Sequence, residues 1–340
     1  MNLKKLGIQV LLLSVFFAIA FLITRAGHKG EYISFVGFAQ GTTYRITYAS
    51  KKGEHYQAMV DSLLKRIDRS LSIYDSASYI SRFNRNEPGI GSDLMFNEVF
   101  RKSVEVSRNT GNAFDITVGP IVNAIGFGSG DTLNVDSAMI NRLMEFVGIE
   151  KVKLENGVPV KSDPRIILDV NAIAQGYTVD VIAAFLESKK IKNYLVEVGG
   201  EVRTKGKNDR HSYWKIGIDK PVENNVIPGA DLQSIITLKN KSLATSGNYR
   251  KFYEKNGMKF VHTVDPHTGY PVISKLLSAT VVADDATTAD AYATALMVMG
   301  LDKSIEYLKK NTFLDAFLIY SGSDGEFKTY TTPGLVKFIE

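Results

Sequence analysis

Ile166-Ile167-Leu168-Asp169-Val170-Asn171-Ala172-Ile173-Ala174-Gln175-Gly176-Tyr177 reads as an apolar strand over 166–170, a turn of small residues, and the opening of a helix over 177–188. A strand over 194–198 follows and stops at Gly199-Gly200. Repeated along the chain, this order would build a doubly wound parallel sheet, so the flanking sequence decides the fold. Upstream, Tyr44-Arg45-Ile46-Thr47-Tyr48 alternates as a strand behind Gly41-Thr42. A helix over 56–74 follows, with Met59, Leu63, Ile67 and Leu71 recurring every four positions. A second helix over 96–108 is stopped by Asn109-Thr110-Gly111, whose glycine suits a left-handed C-terminal cap. Downstream, strands are expected near 213–219, 235–238 and 279–283, and helices over 286–299 and 303–310. Strand and helix do not alternate, which predicts an α+β fold of mixed, largely antiparallel sheets with packed helices.

The chain has 340 residues, 44% hydrophobic and 23% charged, enough for one large domain or two lobes with a sizeable core. Its net charge of +5 is spread over 41 basic and 36 acidic residues. No basic run interleaves with aromatics as a nucleic-acid groove requires, so no nucleic acid is expected as a partner. Cysteine is absent, which removes disulfides, thiolate catalysis and cysteine-held metals together. Any metal must sit on oxygen or imidazole.

Lys4 and Lys5 precede residues 6–24, a run of nineteen residues without a charge, before Arg25, His28 and Lys29 restore polarity. That length is nearer the ~20 residues of a membrane-spanning helix than the ~7–15 of a secretory apolar core. The expectation is an uncleaved anchor; Ala18-Ile19-Ala20 is where a signal peptidase would cut instead. Either way the lysines leave the body of the protein on the extracytoplasmic, periplasmic face of the inner membrane. The organisation read from this is an anchor or signal segment with a short linker over 1–30 and one catalytic domain over 31–340.

Two stretches carry the chemistry. His262-Thr263-Val264-Asp265-Pro266-His267-Thr268-Gly269-Tyr270-Pro271 sets two imidazoles and a carboxylate around a Pro/Gly turn. Ala289-Asp290-Ala291-Tyr292-Ala293-Thr294-Ala295 places Asp290 and Thr294 one helical turn apart, where two oxygens on one ridge can hold a hard cation. The plainer readings are a solvated carboxylate with a threonine bonding back to its helix, and alanines that serve close helix packing. Asp169 fits an anion or ribose site at a strand end, or the cap of its own helix. Gly126-Phe127-Gly128-Ser129-Gly130 lacks the Gly-Lys-Ser/Thr ending of a phosphate loop.

The order of motifs is more specific than any one of them. It runs from Gly41-Thr42-Thr43-Tyr44 through Asp68-Arg69-Ser70-Leu71-Ser72-Ile73-Tyr74, Ala113-Phe114-Asp115-Ile116-Thr117-Val118-Gly119-Pro120, Gly126-Phe127-Gly128, Leu168 to Tyr177 and Val198-Gly199-Gly200-Glu201. It continues with Ala244-Thr245-Ser246-Gly247-Asn248-Tyr249, the His262 stretch and the Ala289 stretch. The chain resembles the ApbE family of FAD:protein FMN transferases over about 35–335. It departs from the family pattern at Gln40, Ile125, Gln175 and Asn248, where methionine, tryptophan, lysine and aspartate are common.

The resemblance implies a cleft between two lobes in which FAD and Mg2+ bind. FMN then passes to a threonine or serine of a target flavoprotein, with release of AMP. It implies a metal held by Asp290, the Thr294 hydroxyl and the Ala172 carbonyl, all hard oxygen donors. It places Gln40, Tyr74, Ala113, Phe114, Asp115, Asp169, Gln175 and His262 at the FAD. An imidazole titrates near ~6.5, so His262 is the candidate base toward the incoming hydroxyl, with Asp265 orienting it or shaping the turn. His267 is read as a surface residue. The expected clients are flavoprotein subunits of sodium-pumping quinone reductase or Rnf type. Two other readings stay open: a Mg2+-dependent FAD pyrophosphatase, in which water replaces the threonine, and a membrane-tethered FAD carrier.

Overall fold

Strand β1 (Glu31–Ala39) turns through Gln40-Gly41 into β2 (Thr42–Ser50), and both turn residues take positive φ, the geometry of a two-residue hairpin. The computed structural model describes residues 31–126, 136–222, 229–247, 252–255, 258–261, 263–323 and 325–340. The expected anchor over 1–30, His262, Asn248 and the loop residues Phe127 to Gly130 lie outside the described residues. Among the described residues no helix is long and apolar enough to cross a membrane.

Helices α1 (Gln57–Leu71), α2 (Tyr79–Asn84), α3 (Leu94–Asn109), α4 (Gly119–Ala124) and α5 (Ser137–Met144) follow, then the hairpin β3 (Val152–Glu155) and β4 (Val158–Lys161). After α6 (Ala174–Ser188) come β5 (Tyr194–Val198), β6 (Glu201–Lys205), β7 (Trp214–Asp219), β8 (Leu232–Leu238) and β9 (Ser242–Gly247). The chain closes with β10 (Phe252–Lys255), β11 (Met258–Val261), β12 (Leu276–Ala283), α7 (Ala286–Met299), α8 (Leu301–Lys310), β13 (Asp315–Ser321) and β14 (Phe327–Thr331).

Eight strands form one sheet in the order β1-β2-β5-β6-β9-β12-β13-β14, antiparallel at every pairing. One face carries the helices: Tyr44, Ile46, Val196 and Val198 pack on α1 and α6. On the same side Ala244, Val281 and Leu318 pack with α3 and α7. The alternate residues Val202, Leu243, Val282, Phe317 and Ile319 face the β7–β8 hairpin. The α+β class, antiparallel sheet and packed helices are as read from the sequence.

Two local expectations are corrected. The buried stripe of α1 is Val60, Leu64, Ile67 and Leu71, while Met59 is exposed and Leu63 half-buried. A strict spacing of four drifts about 40° per step around a helix of 3.6 residues per turn, so four such residues cannot share a face. The run over 166–170 is not a strand. Ile166, Leu168 and Val170 are buried, which gives the alternation, but among the described residues no strand pairs with them. Asn84 substitutes for a ladder partner, its amide accepting from Leu168 N at 2.9 Å and donating to Leu168 O at 2.9 Å, and Asp169 N donates to Ile116 O at 2.7 Å.

Candidate functional site

Helix α7 is apolar on every side and lies in the core, with Ala289, Ala291, Ala293 and Ala295 fully buried. Small residues therefore do serve close packing here, and the helix carries Asp290 inward with them. Asp290 is 6% exposed, and its Oδ2 accepts from Gly176 N at 2.9 Å. Burial, reinforced by the nearby Asp180 carboxylate, pushes its carboxyl up to about 7. A buried carboxylate with so little compensation is a place where a cation gains most from binding. One turn on, the Thr294 hydroxyl shares a hydrogen bond with Ser246 Oγ at 3.0 Å.

Two features hold this pair in register. Asp285 caps α7 by accepting from Thr288 N at 2.7 Å. From α6, Asp180 accepts from Ala286 N at 3.0 Å and Thr287 N at 2.8 Å while pairing with Arg203 of β6. Helices α6 and α7 are thereby joined at both ends of their contact, Asp180 at one and Gly176–Asp290 at the other. Ala172, half-buried, lies four residues before Gly176 in the turn that opens α6. Asp290 and the Thr294 hydroxyl are oxygen donors, a chemistry suited to a hard divalent ion. Among the described residues no cluster of three His, Asp or Glu side chains competes for a metal.

The same end of α6 gathers the other predicted positions. Gln40 closes the β1–β2 hairpin in a left-handed conformation, φ 53°, and its Nε2 donates to Thr178 Oγ1 at 2.9 Å. Gln175 lies against Gly199, whose φ of +67° and lack of a Cβ admit the Gln175 amide. Asp169 does not cap α6: its Oδ1 accepts from Asn171 N at 2.8 Å, and the helix begins later, at Ala174. Burial raises the Asp169 carboxyl above its ordinary range. Asn171 Nδ2 donates to Tyr74 OH at 3.3 Å, so exposed Tyr74 and Asp169 share one rim.

Ala113, Phe114 and Asp115 turn their side chains into the protein. All three are buried, and Phe114 belongs to the main core. Asp115 accepts from Thr117 N at 2.8 Å, Thr117 Oγ1 at 2.6 Å and Ile149 N at 2.8 Å, so its carboxylate is committed within the protein. Burial outweighs these bonds and leaves its carboxyl raised.

Asp265 binds His267. Its Oδ1 lies 2.9 Å from His267 Nδ1 and accepts from His267 N at 2.9 Å, while His267 Nε2 lies 2.8 Å from Gly111 O. His267 is half-exposed, as a surface residue is, yet it pins the Asp265 turn to the end of α3. The spacing Asp-x-His inside a turn was the available signal. Asp180, Thr178, Ser246 and Asn171 were not singled out by sequence, because each acts on a residue dozens of positions away.

The ApbE family profile matches residues 40–318. An FAD:protein FMN transferase of Haemophilus influenzae is 34% identical over 345 residues, covering 97% of this chain and 98% of that protein. One of Vibrio cholerae is 34% identical over 334 residues, 95% of this chain and 98% of that protein. Among solved structures, the flavin transferase ApbE of Vibrio cholerae superposes with a TM-score of 0.80 at 33% identity, over 91% of this chain and 99% of that one. The apo flavinyl transferase ApbE of Pseudomonas stutzeri gives 0.80 at 29% identity, over 92% and 98%.

Proposed function

The chain belongs to the ApbE family, and from that we propose that it is a Mg2+-dependent FAD:protein FMN transferase. It takes FAD and a target flavoprotein, joins the FMN phosphate to a threonine or serine hydroxyl through a phosphoester, and releases AMP. The observation that carries the reading is Asp290, a buried carboxylate fixed by Gly176 N–H one turn from Thr294, in a chain that matches named transferases along nearly its whole length.

Asp290, Thr294 Oγ1 and the Ala172 carbonyl would hold the metal. When bound, Mg2+ supplies charge neutralisation of the pyrophosphate. The protein's own part is positioning. Asp285 and Asp180 fix α7, Gln40 bonds Thr178 of α6, and Tyr74, Asn171 and Asp169 are joined beside the turn that opens α6. His262 accepts the proton of the acceptor hydroxyl as its oxygen attacks phosphorus; the bond to the AMP oxygen breaks and its electrons leave with AMP. The Asp265–His267 turn lies just beyond His262 in sequence. Carriage on an N-terminal anchor at the periplasmic face suits clients of sodium-pumping quinone reductase or Rnf type.

The test incubates the protein with FAD, Mg2+ and a flavoprotein subunit of Rnf type. A mass gain of one FMN on the subunit, with AMP released, supports the reading. Free FMN with AMP and no mass gain identifies a pyrophosphatase, and unaltered FAD a carrier; either refutes it.

A further inference from the structure

Among the described residues, strand β1 is the outermost strand of the eight-stranded sheet and pairs only with β2. Natural edge strands are blunted by charge, proline, bulges or short length. β1 has none of these from residue 32 to 39: Tyr32-Ile33-Ser34-Phe35-Val36-Gly37-Phe38-Ala39 is uncharged and proline-free, and its register with β2 runs unbroken over nine residues. The opposite edge, β14, is five residues long and carries Lys328.

Cover on the outer face of β1 thins toward the site. Tyr32 stacks edge-on against Trp214 of the β7–β8 hairpin, and Ser34 bonds Thr47 at 2.8 Å. Beyond them Val36 is 54% and Phe38 73% exposed, opposite exposed Arg45 and Thr43. The strand ends at Ala39, and the next residue, Gln40, is bonded to Thr178 on the helix that meets Asp290. Nine residues long, β1 extends roughly 30 Å away from the Gln40 end.

We infer that the β1 edge is the docking track for the acceptor protein, which adds an extended segment alongside β1. Apolar side chains of that segment lie on Val36 and Phe38, and the segment leads its threonine or serine past Gln40 into the site. Unpaired backbone recognises polypeptide generically, and the apolar pair sets which stretch binds. This rests on the transferase reading, since only a reaction with a polypeptide substrate needs such a track.

The double variant Val36→Lys, Phe38→Lys changes only exposed positions. With the Rnf-type subunit as acceptor we expect at least a tenfold rise in its KM, with FAD affinity by flavin fluorescence and the melting temperature unchanged. Hydrogen exchange should show the outward-facing β1 amides, those not bonded to β2, open in the free protein and protected by the acceptor. Wild-type KM in the variant overturns the docking track and leaves the transferase reading standing. Outward-facing β1 amides already protected without acceptor, by a second copy or by residues 1–30, also overturn it. A wild-type protein that transfers no FMN removes both.

Discussion

Gly176 and Asp290 meet closely: the Gly176 N–H donates to Asp290 Oδ2 at 2.9 Å, and a Cβ placed on Gly176 would fall 2.7 Å from Asp290 Cβ and clash with Ala286 O. The close approach is why the bond is possible. Only without a side chain can α6 approach α7 closely enough for its backbone to reach the carboxylate. Gly176→Ala should therefore push the helices apart, costing about 1–3 kcal/mol by urea denaturation, and should weaken Mg2+-dependent transfer more than FAD binding. An alanine variant as stable and active as wild type would show that the approach is not needed.

Asp290 separates charge from shape. In Asp290→Asn the side-chain oxygen still accepts from Gly176, so the helix contact survives, but the negative charge is lost. Transfer should fall roughly 100-fold or more, as when a group that stabilises transition-state charge is removed. The metal-free variant should melt higher than metal-free wild type at pH 8, because burial and Asp180 penalise the ionised carboxylate, holding it up to about 7. Mg2+ should raise the melting temperature of wild type and not of the variant. A similar Mg2+ response in both would remove Asp290 from the metal site.

The sequence was most legible where one element supplies its own signal. The strand Tyr194–Val198 has the expected bounds because its alternation is buried by one sheet face. The Asp290–Thr294 pair was legible for the same reason, since i, i+4 spacing needs only a helix. What was lost depends on partners far along the chain. The run over 166–170 looked like a strand because Ile166, Leu168 and Val170 enter the core, whereas the pairing that defines a strand was replaced by the Asn84 side chain. Phe114 and Asp115 came only with a family motif, which does not say what their side chains touch. The structure gives their side chains to the core and to a carboxylate network, which no local pattern distinguishes.

Asp115 tests that distinction. Asp115→Ala leaves Thr117 N, Thr117 Oγ1 and Ile149 N without their acceptor in a buried place. Each orphaned donor costs about 1–3 kcal/mol, so a total loss of a few kcal/mol is expected after relaxation. If the residue acts by shaping the strip over 113–119, stability and FAD affinity should fall together. Full stability with lost FAD affinity would mean that the carboxylate meets the flavin nucleotide directly.

His267 makes the fold sensitive to pH. Both ring nitrogens face acceptors, Asp265 Oδ1 and Gly111 O, an arrangement that is satisfied only by the doubly protonated ring. Partial burial and nearby Lys303 oppose the charge, yet the Asp265 and Gly111 bonds outweigh them, so the folded-state pKa lies above 6.5. A raised pKa means the folded protein binds the proton more tightly than the unfolded chain. Its stabilising effect is complete below about 6.5 and is lost as pH rises through the folded-state value. His267→Gln should lower stability at pH 5.5 and hardly at all at pH 9, measured as urea midpoints. Equal losses at both values would show that the ring packs against Gly111 without carrying the charge. Because the turn it pins leads back to His262, the same variant should slow transfer at pH 6 more than at pH 9.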